Sequence, residues 1–270
     1  MARLLTRRSF LFSAALLPAL HPWHGHWHGA ETKSRSGRPA EVTPVNFRKL
    51  RLLANRLDEM RSFYRNTLQL PVRESGDSLA VAAGSTLLEF QQGAEGSLPN
   101  YHFAFNIPEN KVEQAHRWAS ARCPLIHHWE TRETLIHFRP WNAHSIYFPD
   151  PSGNLVEFIA RHDLDNARTG AFGPEDIFYA SEIGVVVDSV PETVSFLNGA
   201  LGLSPYRPPI SSFAAVGEEH GMFIVVEKER LWYPARKVPA AVFPSEIHLR
   251  GARREELQMS GCRTTLHLQP

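Results

Sequence analysis

The stretch His144 to Phe158, HSIYFPDPSGNLVEF, decides how this chain is read. An apolar and aromatic run enters the turn-forming set Asp150-Pro151-Ser152-Gly153-Asn154, and a second apolar run leaves it. Two such runs around a Pro/Gly/Asn turn predict a β-hairpin. The second strand carries one carboxylate, Glu157. Because strand side chains alternate between faces, Glu157 has two readings. It is the solvent-facing member of an alternating strand, or it points into a pocket and holds something there.

Working outward, this hairpin closes a unit that recurs. Upstream, YHFAFNIPENKVEQAHRWA begins with an alternating strand around His102, and Pro108 opens a helix to about Ala121. An earlier copy, FRKLRLLANRLDEMRSFYRNTLQLPV, gives a strand with Leu50, Leu52 and Leu53. In it Leu57, Met60, Tyr64 and Leu68 recur at helical spacing, and the copy ends in STLLEFQQ. A later copy begins SEIGVVVDSVPETVSFLNGALGL and continues through SFAAVG and MFIVVE. Strands near SEIHL and TTLHL suggest a truncated fourth. Repetition of this length dictates the architecture. The expectation is an α+β fold of βαβββ modules forming a cupped mixed sheet, with one paired-module domain over 45–162. A linker at 163–175 leads to a third, partly degenerate module with the truncated fourth, 176–270.

The N-terminus differs in kind. Arg7 and Arg8 precede a short apolar run, Phe10 to Leu20, the layout of an export signal. The order Thr6-Arg7-Arg8-Ser9-Phe10-Leu11 resembles the twin-arginine type, which implies a bacterial periplasmic or otherwise exported protein. Residues 1–30 are read as this signal, with Ala30 a candidate cleavage point, and 31–44 as a polar linker. His21, His24, His26 and His28 form a tract read as a spacer or a metal-binding run. The formal net charge of +1 gives no electrostatic case for nucleic acid or an anionic membrane as partner. Cys123 and Cys262 are the only cysteines, and their spacing does not demand a disulfide.

The repeat, with FY…L.L closing the helix and DPSGN..E closing the last hairpin, resembles the vicinal oxygen chelate superfamily. That superfamily includes glyoxalase I, fosfomycin-resistance proteins and type I extradiol ring-cleaving dioxygenases. The resemblance implies paired modules cupped around a divalent metal such as Fe, Mn, Zn or Ni, with ligands on the first and last strands of each module. Internal alignment places Lys49 and His102 on first strands, and Glu89 and Glu157 on last strands. His102, Glu157 and Glu89 are the expected metal ligands. Lys49 departs from the pattern, because an ammonium has no lone pair to donate. It turns aside, acts as a base, or replaces the metal by pairing with Glu89 or Glu157.

The run IYFPDPSGNLVE is similar to the tail of the extradiol signature. That likeness implies a catalytic role for Tyr147 and for His137, with a packed strand aromatic as the other reading of Tyr147. His144 stands between them, and their separation is longer than the signature's. In the third copy Glu182 takes the first-strand position and Val226 the last, which suggests a structural or substrate-covering half without a metal. Its WYPARK loop covers a pocket or mediates a homodimer contact. The expected activity is that of an exported metalloenzyme acting on a small molecule with adjacent oxygens. Ring cleavage is favoured and glyoxalase-like isomerisation stands close behind. The alternative is a metal-free small-molecule binding protein on the same scaffold.

Overall fold

The structure, a computed structural model, describes residues 45–270. The arginine signal, the histidine tract and the linker at 31–44 lie outside the described residues. Among the described residues no helix is long and apolar enough to cross a membrane.

The first module holds β1 (Phe47–Ala54), α1 (Leu57–Ser62), β2 (Val72–Ser75), β3 (Ser78–Ala83) and β4 (Thr86–Gln92). Its helix widens into a π-helical turn over Phe63–Thr67. The second holds β5 (His102–Ile107), α2 (Val112–Ser120), β6 (Leu135–Phe138), β7 (Ala143–Pro149) and β8 (Leu155–Arg161). Its helix starts at Val112, not at Pro108. The third holds β9 (Tyr179–Val187), α3 (Val190–Leu201), β10 (Phe213–Glu218) and β11 (Gly221–Glu227). The last has no helix and holds β12 (Ser245–Arg250), β13 (Glu255–Gln258) and β14 (Thr264–Gln269).

These strands form two seven-stranded mixed sheets, which makes the fold α+β as expected. The sheets are not assembled in chain order. One runs β13-β14-β12-β1-β4-β3-β2 and the other β10-β11-β9-β5-β8-β7-β6. Within a module the first and last strands pair in parallel, β1 with β4 and β5 with β8. The free edge of each first strand then needs a partner. For β5 that partner is β9, and for β1 it is β12, both antiparallel. The second module therefore joins the third, and the first joins the last. This corrects the expected pairing of first with second over 45–162. Backbone groups on an open edge must be satisfied, and any strand of matching register can do so.

One face of each sheet contributes to a common core. Phe47 of one sheet meets Phe223 of the other at 5.4 Å between ring centroids, and Phe90 meets Phe103 at 6.4 Å. The sheets also approach through backbone. Gly84 has φ +54°, and a Cβ there would lie 1.7 Å from the Phe178 carbonyl oxygen. Thr86 Oγ accepts the Ala180 N–H at 3.0 Å, beside a bulge in the β5–β9 pairing.

The opening hairpin is a hub of this packing. Asp150 accepts from Ser152 N at 3.0 Å, Asn154 N at 2.9 Å and Asn154 Nδ2 at 2.8 Å. It also accepts from the Tyr64 hydroxyl of the first module at 2.9 Å. Asn154 in turn accepts the Tyr101 N–H at the start of β5 at 2.9 Å. The turn motif thus fixes where β8 starts and how it lies beside β5.

Candidate metal centre

The sheet face opposite the core carries the chemistry. On β5, His102, Ala104 and Asn106 share this face, and on β8 so do Glu157, Ile159 and Arg161, by strand alternation and register. Glu182 on β9 lies across from Ala104. The bulge that follows shifts the pairing by one residue, a device that re-aims neighbouring side chains.

The result is a convergent cluster. His102 Nε2 lies 3.5 Å from a Glu157 oxygen and 3.5 Å from a Glu182 oxygen. The ligand atoms of the three residues lie within 4.8 Å of one another. All three are buried, at 5%, 2% and 3% exposure. His102 Nδ1 faces the Leu155 carbonyl at 3.2 Å, which presents Nε2 to the two carboxylates. Arg161 donates to the other Glu182 oxygen, Oε1, and its Nε donates to Asn106 Oδ1 at 3.3 Å.

Charge divides the two carboxylates. Burial pushes Glu157 up to about 8, and the Glu182 charge adds to this. Burial also works against Glu182, but the hydrogen bond to His102 and the Arg161 guanidinium outweigh it and hold Glu182 below the usual range. For His102 burial opposes charging, yet Glu182 and Glu157 raise its pKa. One imidazole and two carboxylates in convergent, buried positions form a donor set that suits a divalent metal. The fit extends outward, since both His102 and Glu182 are oriented by further hydrogen bonds.

The cluster opens into a cavity of about 230 Å³. Phe138, Trp141, Tyr147, Phe213, Trp232 and Tyr233 line it beside aliphatic residues. Tyr147 pairs with Glu157 across β7 and β8, and its ring lies 6.4 Å from that of His102. Trp232 packs over His102 at 5.5 Å between centroids. Gly184 makes room for it, since a Cβ there would lie 2.8 Å from the Trp232 ring. Of the two roles open to the WYPARK loop, covering a pocket is thus the one these contacts display.

No protein-family model matches the sequence, and no curated protein matches it either. Solved structures do match. A Bacillus subtilis protein assigned as a dioxygenase aligns over 86% of this chain and 87% of its own, with TM-score 0.58 and 12% identity. Glyoxalase I from Zea mays aligns over 83% of this chain and 92% of its own, with TM-score 0.51 and 12% identity. The chain has the vicinal oxygen chelate fold.

A vicinal oxygen chelate cup also forms on the other sheet, and there the expected residues take a different role. Glu89 lies on β4, opposite Arg51 of β1, as Glu157 lies opposite Ala104. Glu246 lies across from Arg51 as Glu182 lies across from Ala104. Cations fill this second cup. Arg51 donates to Glu89 at 2.6 Å and to Glu246 at 2.7 Å, and Lys49 lies 3.5 Å from Glu89. Burial opposes the ionisation of Glu89, but Arg51 and Lys49 prevail and lower its pKa. His248 and His267 stack at 4.5 Å beside Glu246. Burial, with Lys49 and His267, pushes His248 down to about 4, so it stays neutral.

In this vicinal oxygen chelate fold, then, His102 and Glu157 come together as expected, while Glu89 sits in the other sheet. His137 pairs with His144 and stacks on it at 4.2 Å, exposed. His144 and Tyr147 stand three residues apart on β7 and so on opposite faces, and His137, paired with His144, does not line the cavity. The third module, expected to be a structural or substrate-covering half without a metal, brings Glu182 to within 3.5 Å of His102. Its sequence signal was present, since Glu182 holds the same first-strand position as His102. Arg161 and Trp232 carried no such signal. Cys123 and Cys262 are free thiols.

Proposed function

We propose that this protein is a metal-dependent enzyme acting on a small, largely apolar aromatic molecule that carries two adjacent oxygens. The observation that carries this reading is the buried His102–Glu157–Glu182 cluster at the end of an aromatic cavity. When bound, a divalent ion would act as a Lewis acid toward adjacent oxygens. His102, Glu182 and Glu157 would hold it.

The chain's own residues divide the remaining work. Arg161 keeps Glu182 ionised and oriented. Glu157 has no guanidinium partner among the described residues, and burial brings it near neutrality. It is therefore the carboxylate suited to taking a proton from substrate carbon and returning it, as in isomerase or lyase chemistry. Trp232 and Tyr233 cover the site and limit water. Ring cleavage with O2 is a second reading, favoured by the aromatic walls and by Tyr147 opposite Glu157. It lacks the acid-base histidine expected at His137.

Incubating metal-loaded protein with 2-hydroxyacetophenone in D2O tests the first reading. Deuterium should enter beside the carbonyl, and Glu157→Gln should abolish this even when saturated with metal. Oxygen uptake with catechol, and no exchange, would favour the second reading. A protein that does neither and holds no metal would be the binding protein. The arginine pair at Arg7 and Arg8 supports an exported location, which Arg7→Lys with Arg8→Lys should abolish.

A further inference from the structure

The cavity has two ends. At one, Met222 of β11 pairs with Glu182. At the other, Val226 pairs with Phe213 of β10. The four residue steps from Met222 to Val226 span about 13 Å at the usual rise of a strand. Arg230 lines the cavity and is anchored at this second end, where its Nη1 donates to Ser212 Oγ at 2.8 Å. Its guanidinium lies 5.4 Å from the centre of the Phe213 ring.

Among the described residues Arg230 takes part in no ion pair. Arg230 is half-buried; burial, and then the Arg236 charge, lower its pKa against the opposing charge of Glu227. The residue before it, Glu229, has φ +70°. A left-handed conformation is uncommon at a residue other than glycine and costs free energy, so the turn that aims Arg230 is held by its surroundings. An arginine that lines an aromatic cavity and forms no ion pair suits a ligand oxyanion.

We propose that Arg230 binds a carboxylate at the far end of the substrate. The ligand class is then an aromatic molecule with adjacent oxygens at the Glu182 end and a carboxylate on a short arm at the Arg230 end. This rests on the reading of the cavity as the substrate pocket of a metal site. The two ends set the length. Allowing about 2 Å for a metal–oxygen bond and about 3 Å for the ion pair leaves room for one ring and a short chain.

The test uses 3-(3,4-dihydroxyphenyl)propanoate and its methyl ester, titrated calorimetrically into full-length protein with and without metal. Wild type should bind the acid about tenfold or more tightly than the ester, the size expected of a hydrogen-bonded ion pair. Arg230→Gln should bring the acid-to-ester affinity ratio to about one. Arg230→Lys should restore part of the preference, and thermal melting should confirm that both variants fold. An acid-to-ester ratio that survives in Arg230→Gln, a ratio of one in wild type, or no binding of the acid would each overturn the proposal. The two readings fail separately. If the acid is preferred through Arg230 but neither compound binds more tightly with metal, the chelate reading fails and the Arg230 assignment stands.

Discussion

Glu182 stands 3.5 Å from His102, although the two enter from different modules on antiparallel strands. This contact makes the site a joint product of the second and third modules. It also fixes which carboxylate is a permanent anion, because Arg161 holds Glu182 from behind.

Metal binding should depend on pH through Glu157. Its pKa rises from 4.5 to about 8 in the folded protein, so below that value a proton competes for the ligand. Apparent metal affinity should rise about tenfold per pH unit up to about 8 for this one proton, and more steeply if His102 also releases one. Without metal, the protonated Glu157 contributes stability that is full below 4.5 and is lost as pH rises through 8. Thermal melts of metal-free protein should therefore fall with pH across this window from this group, and added metal should reverse the trend at pH 8. A metal affinity flat between pH 6 and 8 would contradict the assignment.

The second cup should hold no metal in the native chain. An ammonium about 4 Å from a divalent ion is repelled by about 2 kcal/mol in a water-like medium and about 8 kcal/mol at an effective dielectric of 20. Replacing both cations, Lys49→His with Arg51→Ala, should raise the bound metal from one to two ions per chain by elemental analysis. A double variant that still binds a single ion would show that the converging Glu246, His248 and His267 are not kept empty by the cations beside them.

The hairpin hub should be worth a measurable share of stability. Tyr64→Phe removes a buried donor to Asp150 and should cost about 1.5–3 kcal/mol in urea unfolding. Metal content should persist, since Tyr64 does not touch the cluster. A cost below about 0.5 kcal/mol would mean that the turn's own hydrogen bonds suffice.

Much of this was legible in the sequence. The repeats appear as strand and helix periodicities, and the DPSGN turn gives the hairpin that carries Glu157. Local pattern does not reveal which module joins which, because edge pairing is a long-range choice between compatible strands. That is why Glu89 looked like a ligand and Glu182 did not. His137 failed for a smaller reason. Its distance in sequence to Tyr147 is short, but strand alternation sends the two to opposite faces. Lys49 departs from the ligand pattern in the sequence, and in the structure it lies beside Glu89, which Arg51 also pairs.

The most direct measurement is the metal content and affinity of Glu182→Gln beside Glu89→Gln, each against wild type under the same loading conditions. Wild type should bind one divalent ion per chain. Glu182→Gln should weaken binding more than about tenfold, since even outer partners of a metal are worth about 10- to 100-fold. Glu89→Gln should match wild type. Loss of metal in Glu89→Gln with full retention in Glu182→Gln would contradict the account.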